Sequence, residues 1–168
     1  MSDTQAETTR TISFQDPLAT ARLGMTMTGL EFLQGMADGV VPPPPIAVLM
    51  NMDIETVEKG RVTFGGMPDA SHYNPIGVVH GGFAATMLDT VAGCAVHSTL
   101  PAGKAYTSIE IKISYLRPLH TGVRVIATGT VTKPGSRVAF ADATLATTDG
   151  VLVATASSSL LVFDPRAS

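Results

Sequence analysis

The sequence predicts an α+β fold in which an antiparallel sheet wraps around one long apolar helix. The segment FAATMLDTVAGCAV, residues 83–96, is apolar apart from one aspartate and two threonines, so nearly all of its helical surface has to be covered. The segment YTSIEIKISYL, residues 106–116, alternates apolar and polar side chains, which is typical of a strand with one buried face. The later strand-like runs are joined by the short turns KPGS and TDG, which favour antiparallel pairing because parallel crossovers need longer connections. A curved sheet of this kind can cover the helix.

The N-terminal third is predicted to hold a flexible tail and one extra helix. We expect residues 1–18 to form the tail and residues 19–168 to form a single domain. Apolar side chains recur at helical spacing over residues 19–37, which predicts a helix there. The segment VVPPPPIA, residues 40–47, should be an extended connector, because proline removes hydrogen-bond donors and restricts the residue before it.

Two strands are predicted before the apolar helix and four after it. The first two span residues 47–57 and 60–66, and the EKGR turn between them lets Gly60 adopt a positive φ. The polar loop PDASHYNPIG then leads into the helix. After the helix, YTSIEIKISYL and the runs GVRVIATGTVT, RVAFADATLAT and VLVATASSSLLVF predict four strands in an antiparallel meander.

The composition restricts the partners that the protein can have. The formal charge of −3 provides no basic field, so we expect no binding to nucleic acid. Charged residues make up 15% of the chain and apolar residues 45%, which is more apolar than a free-standing monomer requires. We therefore expect part of the surface to be buried between subunits.

The residue content also predicts a location and argues against bound cofactors. Cys94 is the single cysteine, so no intrachain disulfide can form, and the N-terminal segment MSDTQAETTR lacks the apolar core of a signal peptide. The longest apolar stretch is too short to cross a bilayer, so we expect a soluble, cytoplasmic protein without membrane contact. No metal-ligand spacing, phosphate-binding loop or dinucleotide fingerprint is present, so we expect no metal and no cofactor.

The start of the apolar helix offers backbone donors to a ligand. Gly81 and Gly82 allow other groups to approach the backbone, where unpaired N–H groups point outward at the positive end of the helix dipole. This arrangement suits an oxyanion or a polarised carbonyl. A tight turn that requires only small residues is the alternative interpretation.

Asp89 lies seven residues after Gly82, in the middle of the helix. Burial of its charge without partners would be costly, and a buried Asp89 should have a raised pKa, which suits a general base or a nucleophile. Alternatively, Asp89 faces solvent or caps a neighbouring element.

Three other side chains have both a chemical and a structural interpretation. Asn74 can orient a carbonyl or form an Asn-Pro turn, and His80 can donate to a substrate or fix the loop by bonding a backbone carbonyl. We favour the fixing role for His80. Cys94 and His97 are three residues apart, which permits a thiol–imidazole pair, although such a cysteine is more often a small core residue.

The segment NPIGVVHGGFAATMLD, residues 74–89, combines asparagine, His-Gly-Gly and aspartate at characteristic spacings. In this pattern the chain resembles the hot-dog-fold acyl-CoA thioesterases of the phenylacetate-degradation (PaaI-like) type. The resemblance extends over residues 46–163 and includes the order of elements and the segment ISYLRPL. It implies a hot-dog fold, in which the antiparallel sheet wraps around the long helix, and the hydrolysis of acyl-CoA to a free acid and coenzyme A.

The resemblance also implies roles for individual residues. Asp89 matches the catalytic acid, which activates water or attacks the thioester directly, and the Gly82 N–H matches the group that polarises the thioester carbonyl. Asn74 matches the side chain that helps to hold this carbonyl. His80 matches the loop histidine beside it.

Four further residues are assigned by position in the resemblance. Ser108 matches the hydroxyl that positions the water, and Thr107 is its alternative because one bulge in the strand would exchange the two. Lys133 and Arg137, in the run KPGSR, are expected to meet the pantetheine and the phosphates of coenzyme A. A solvated turn is the alternative for this run.

The spacing within the helix predicts that the active sites are shared between subunits. Asp89 lies seven positions after Gly82, which corresponds to roughly 10 Å along the helix axis, whereas reacting groups must lie within a few ångströms of each other. A donor from one subunit must therefore meet an acid from another, so we expect a homodimer or a homotetramer.

Two other functions remain open from the sequence. One is a hydratase or dehydratase acting on enoyl-thioesters with the same fold, although such enzymes usually carry a His-Phe-Pro-Gly-like loop and this chain has His-Gly-Gly-Phe. The other is a non-catalytic acyl-CoA-binding module, which has no need of Asp89. The acyl group is expected to be apolar, and both aryl-acetyl and medium-chain groups fit this expectation.

Overall fold

The structure, a computed structural model, describes residues 7–166 and consists of one six-stranded antiparallel sheet with a long helix packed on it. Three short helices precede the first strand. The elements are α1 (Pro17–Gly24), α2 (Gly29–Ala37), α3 (Pro45–Leu49), β1 (Met52–Glu58), β2 (Arg61–Gly66), α4 (Gly81–His97), β3 (Ala105–Tyr115), β4 (Val125–Lys133), β5 (Val138–Thr147) and β6 (Leu152–Phe163).

The long helix α4 is the centre of the core, as the sequence predicts. Ten of its residues are buried, and it contacts five of the six strands. The backbone of β4 approaches α4 so closely at Gly129 that a Cβ atom there would collide with the carbonyl of Val91. Small residues in the sheet therefore allow it to wrap around the helix, which confirms the predicted α+β architecture.

The order of strands in the sheet is β1-β2-β4-β5-β6-β3, which corrects the predicted meander. Strands β4, β5 and β6 are joined by tight turns and pair in sequence, but β3 pairs with β6 at the far edge and not with β4. The segment 116–124 is long enough to carry the chain across, so β3 can form a long antiparallel ladder with the last strand.

A β-bulge in β3 changes which side chains face α4. The register with β6 shifts between Ser108 and Glu110, so the alternation of the two faces is interrupted there. Ile109, predicted on the buried face, is 58% exposed, whereas Ile111 and Ile113 pack against the core. The extra residue brings Ser108 onto the face of the strand that contains Ile111.

The single helix predicted over residues 19–37 is two helices in the structure. Thr28 starts α2 with a capping box: its side chain accepts from the Glu31 N–H, and the Glu31 carboxylate accepts from the Thr28 N–H. This local pairing stabilises a helix start in the middle of the apolar periodicity, and the chain turns between Met25 and Thr28.

The proline-rich segment is only partly extended. The prediction that residues 40–47 contain no helix is wrong for residues 45–47, because α3 begins at Pro45. Proline is tolerated in the first turn of a helix, where the N–H that it lacks would have no intrahelical partner. As a result, β1 starts at Met52 instead of residue 47.

Part of the predicted tail contacts the rest of the chain. The Arg10 guanidinium donates to the Ser71 hydroxyl at 3.0 Å and to the Val48 carbonyl at 3.1 Å. Residues 1–6 of this tail lie outside the described residues, and the division into a flexible tail and a single domain stays a prediction. Within residues 7–166, no helix combines the length and apolar character needed to cross a membrane.

Candidate active site

Asp89 and Ser108 form a direct hydrogen bond between the middle of α4 and β3. The Ser108 hydroxyl donates to the Asp89 carboxylate at 2.7 Å. The bulge after Ser108 places this hydroxyl on the helix side of β3, whereas Thr107 makes no side-chain hydrogen bond to Asp89 within the described part of the chain. Asp89 is half-buried in the single chain, so the full burial considered above is not reached within one chain.

The start of α4 is capped by the side chain of His80. The Gly82 N–H donates to the His80 Nδ1 at 2.8 Å, so the donor predicted to polarise a carbonyl is already occupied within the chain. No acceptor is recorded for the Gly81 N–H among residues 7–166. Gly81 is the first residue of α4, where backbone N–H groups point away from the helix. The free backbone donor is therefore one residue earlier than the sequence predicts.

Asn74 and His80 hold the loop before the helix in a fixed shape. The Asn74 side-chain oxygen accepts from the Ile76 N–H at 3.1 Å and the Val78 N–H at 3.2 Å, as in the Asn-Pro turn interpretation. His80 fixes the loop by accepting from Gly82, not by donating to a backbone carbonyl with its ring. The side-chain amide of Asn74 keeps its N–H donors for another partner.

A cavity of about 380 Å³ lies beside this helix start. His80 and Gly81 line it together with Tyr115, Arg117 and Leu119. Tyr115 and Arg117 were not predicted as site residues, although both belong to the segment ISYLRPL. Arg117 is oriented by a hydrogen bond of 2.6 Å from its guanidinium to the Leu152 carbonyl.

The single chain holds the predicted site residues in two separate groups. Asp89 and Ser108 form one, and Asn74, His80 and the glycines form the other. Asp89 lies eight positions after Gly81 on α4, which corresponds to roughly 12 Å along the axis. Asp89 is not among the residues that line the cavity at the helix start.

Cys94 and His97 do not form a nucleophilic pair. Burial raises the pKa of the Cys94 thiol to about 12, so the thiolate required for attack is not formed at neutral pH. The His97 ring lies between Phe32 and Tyr106, with ring centroids 5.7 and 5.4 Å away, and burial lowers its pKa. Both residues are therefore part of the core packing.

The predicted coenzyme A cations lie at the β4–β5 turn. Lys133 and Arg137 are both exposed on either side of this turn. A groove of about 740 Å³ runs beside it, lined by residues 134–136 of the turn and by Lys59 and Lys104. The sequence did not single out these two lysines, because they are distant in the chain and only the fold brings them to the turn.

Comparison with known proteins identifies relatives of the central part of the chain. Residues 76–154 match the family model described as the Thioesterase superfamily. Acyl-coenzyme A thioesterase 13 of Mus musculus is 32% identical over 87 residues, which cover 51% of this chain and 61% of that protein. The chain thus covers less than two thirds of the length of this relative.

A second relative matches almost over its full length. The medium/long-chain acyl-CoA thioesterase YigI of Salmonella typhimurium is 25% identical over 155 residues, which cover 83% of this chain and 99% of that protein.

Solved structures share the fold. The PaaI protein from the phenylacetic acid degradation operon of E. coli aligns with a TM-score of 0.70 at 21% identity, covering 78% of this chain and 93% of its own. A Streptococcus mutans protein solved with acetyl CoA aligns with a TM-score of 0.63 at 25% identity, covering 68% and 90%. The shared arrangement of sheet and central helix shows that this chain has the hot-dog fold, and its residues 76–154 are similar to the Thioesterase superfamily.

Proposed function

We propose that the protein is an acyl-CoA thioesterase of the PaaI-like type, which hydrolyses an aryl-acetyl- or medium-chain acyl-CoA to the free acid and coenzyme A. The observation that carries this proposal is the hydrogen bond between Ser108 and Asp89. It presents a carboxylate and a hydroxyl together at a partly exposed point of an otherwise apolar helix. A binding module has no need of such a pair.

The pair is suited to activate water. The Ser108 hydroxyl donates to Asp89, so its own oxygen can accept a hydrogen bond from a water molecule that the carboxylate also holds. As the water oxygen attacks the thioester carbon, Asp89 takes the proton and later returns it to the leaving sulfur. Direct attack by the Asp89 carboxylate, followed by hydrolysis of the anhydride, is the other route open to the same residues.

The carbonyl oxygen needs a hydrogen-bond donor where negative charge develops. We assign this role to the Gly81 N–H, because the Gly82 N–H is engaged by the His80 imidazole. The Asn74 side-chain amide is a second donor from the same loop. His80 acts on the reaction by fixing the backbone around these donors.

Each complete site requires two subunits. The acid and the free donor lie roughly 12 Å apart along α4, which is too far for one carbonyl. The edge strand β3 supports subunit pairing, because Ile109 and Tyr115 expose 58% and 56% of their surface there. We therefore propose a homodimer, or a homotetramer of paired dimers, in the cytoplasm.

Release of thiol from a panel of acyl-CoA substrates tests the proposed activity. Asp89→Asn keeps the size of the side chain but removes the base, so we expect a loss of kcat of roughly 100-fold or more. Thr107→Ala is the matched control, because Thr107 is an exposed neighbour of Ser108 and, among residues 7–166, makes no side-chain hydrogen bond to Asp89. Activity of Asp89→Asn within a few-fold of the parent would show that Asp89 is structural.

The same panel separates the two alternative functions. Loss of enoyl absorbance without thiol release would indicate a hydratase or dehydratase. Binding of acyl-CoA without any turnover would indicate a non-catalytic module.

A further inference from the structure

A second cavity, of about 290 Å³, lies under the three N-terminal helices. Its floor is formed by β1, β2, β3 and α4, and its roof by α1, α2 and the start of α3. This cavity is more apolar than the one at the helix start, and the family model, which covers residues 76–154, does not include the helices that close it. The match to the family model therefore does not extend to the helices that close this cavity.

The cavity begins next to the proposed acid. Thr90, which lines it, directly follows Asp89 on α4, and Tyr106 is two residues before Ser108 on the same face of β3. One residue near Asp89 on α4 and one near Ser108 on β3 are therefore walls of the cavity. Asp89 is also close enough to act electrostatically on Cys94 and Tyr106 in the lining, so the acyl group of a thioester held at Asp89 lies near the entrance of the cavity.

The lining carries no charge at neutral pH. No lysine, arginine, aspartate or glutamate is among the described residues that form the walls. Burial raises the pKa values of the Cys94 thiol and the Tyr106 phenol and lowers that of the His97 imidazole, so all three stay neutral. An occupant with a charge would lose its hydration without a partner, which is costly. The cavity therefore fits an apolar group.

The size of the cavity fits part of a substrate and not all of it. Small-molecule sites usually measure about 300–1,000 Å³, so a cavity of about 290 Å³ has room for one short or medium acyl group. A further cavity of about 250 Å³ adjoins it and shares Met36, Pro44, Ala47, Met52 and Phe64 with it. Met36 and Pro44 are partly buried, and of these two only Met36 has a flexible, unbranched side chain that can move between the two cavities.

Helix α1 closes the cavity without being part of the core. Thr20 and Ala21 face the cavity, yet none of the eight residues of α1 is buried. Because α1 covers the apolar cavity but buries none of its own side chains, it would gain contacts with a ligand that fills the cavity. Substitutions on α1 can therefore change the cavity without unfolding the core.

We propose that the cavity under α1 is the acyl pocket of this enzyme, that it accepts an uncharged aryl-acetyl or medium-chain acyl group, and that Met36 sets its length. This inference rests on the proposed thioesterase function. It assigns to the N-terminal helices the choice of the acyl group, and it leaves the chemistry to α4 and β3.

Substitutions at the two ends of the cavity test the proposal. Ala21→Trp should shorten the pocket from α1, and Met36→Ala should join it to the adjoining cavity. The quantity to measure is the ratio of kcat/KM for octanoyl-CoA to that for acetyl-CoA, extended to decanoyl- and palmitoyl-CoA. One methylene group in an apolar pocket changes kcat/KM by roughly 10- to 200-fold, so Ala21→Trp should lower the octanoyl ratio about 10-fold or more. Met36→Ala should move the optimum to a longer chain.

Ala19→Trp is the matched control, because it places the same side chain on α1 at an exposed residue that does not line the cavity. Its chain-length profile should agree with that of the parent within about two-fold, below the effect of one methylene. Suberyl-CoA, an eight-carbon chain that ends in a carboxylate, should be a much poorer substrate than octanoyl-CoA. Thermal unfolding followed by circular dichroism confirms that each variant is folded.

The outcomes distinguish the pocket from the activity. If the parent hydrolyses acyl-CoA and neither Ala21→Trp nor Met36→Ala changes the chain-length profile, the acyl group binds elsewhere and this inference is wrong, while the proposed function stands. If no acyl-CoA is hydrolysed, the proposed function is wrong. Calorimetric binding of octyl-CoA thioether to the parent and to the same three variants then tests whether the cavity is occupied. Weaker binding to Ala21→Trp than to Ala19→Trp would support the inference, and equal binding to all of these proteins would contradict it.

Discussion

The hydrogen bond from the Gly82 N–H to His80 determines which backbone donor the start of α4 presents. An imidazole that accepts at Nδ1 occupies one of the unpaired N–H groups of the helix and leaves the preceding one free. The chain therefore combines a stable N-cap with an available donor at Gly81. A side chain at Gly82 would place its Cβ 2.8 Å from the His80 Nδ1 and disturb this cap.

Gly81→Pro tests the donor directly, because it removes the N–H at the helix position that tolerates proline best. His80 already has the extended conformation (φ −62°, ψ 138°) that a following proline requires. We expect kcat to fall roughly 100- to 1,000-fold, as for the loss of one oxyanion donor.

Gly81→Ala is the control for this substitution, because it adds a Cβ but keeps the N–H. The atoms nearest to the new Cβ belong to the exposed Tyr115 ring, at 3.3 Å, and this ring can turn away. Equal activities of the proline and alanine variants would exclude the Gly81 N–H from the reaction.

The buried Cys94 thiol makes stability depend on alkaline pH. Its pKa is about 12 in the folded chain against 9.0 as the reference value, so the unfolded chain loses this proton first as the pH rises. The free energy of unfolding should be unaffected by the thiol below about pH 9 and should fall from there towards about pH 12.

Denaturant unfolding at pH 8 and pH 10 measures this effect. Raising the pH to one unit above the reference pKa lowers the free energy of unfolding by about 1.4 kcal/mol. Cys94→Ala should therefore reduce the loss of unfolding free energy between pH 8 and pH 10 by about that amount. An identical pH dependence for Cys94→Ala and the parent would show that Cys94 ionises in the folded chain as it does in water.

At the level of single residues, the sequence predicts that Asp89 and Ser108 lie together but not the geometry that joins them. Asp89 and Ser108 are brought into contact as the resemblance implies, but through a bulge that the regular alternation of YTSIEIKISYL does not reveal. The N-cap role of His80 was not predicted either. It depends on a rotamer and a backbone conformation, neither of which leaves a pattern in the sequence.

The β4–β5 hairpin is the element that we expect to meet the nucleotide of coenzyme A. Its turn borders a groove with Lys59 and Lys104, and Lys133 and Arg137 flank the turn. We expect the two lysines in the groove and the two cations beside it to bind phosphate more strongly than the turn alone would.

Arg137→Ala should therefore raise KM for acyl-CoA and leave kcat nearly unchanged, because it removes binding that is equal in the ground and transition states. Lys104→Ala should also raise KM, but by less, because Lys104 is already partly paired with Asp164 at 4.0 Å. Acyl-pantetheine, which lacks the nucleotide, is the control substrate. Equal changes in KM for both substrates would place these cations outside the nucleotide site.

The elements themselves were predicted where one pattern dominates the segment. The apolar run of α4, the β1–β2 hairpin around Gly60 and the turns between the last strands all appear as predicted. The predicted N-terminal helix is divided, because the Thr28–Glu31 capping box competes locally with a continuous apolar periodicity. The proline run contains a helix start because proline is unfavourable inside a helix but not in its first turn.

For the whole molecule, the sequence predicts the layers but not the order of strands. Short turns determine which of the last strands are neighbours, whereas the partner of β3 depends on a crossover of nine residues that carries no pairing signal. This crossover leaves β3 at an edge with large apolar side chains exposed. An open edge of this kind invites pairing with another chain unless it is covered.

The proposed dimer follows from this edge and from the length of α4. A helix that carries an acid in its middle and a free donor at its start can contribute half of two sites but not the whole of one. In a two-fold dimer, the start of α4 from each subunit would meet the middle of α4 from the other, which forms two sites. The central claim is therefore that catalysis requires Gly81 of one subunit and Asp89 of the other.

Refolding a mixture of two inactive variants, Gly81→Pro and Asp89→Asn, tests this claim most directly. Each mixed dimer contains one intact site and one site with both lesions, and random pairing makes about half of the dimers mixed, so about a quarter of the parental activity should return. Mixing the folded variants without refolding is the control for slow exchange of subunits. If mixed dimers are isolated through two different tags and remain inactive, donor and acid act within one chain, and the shared site is wrong.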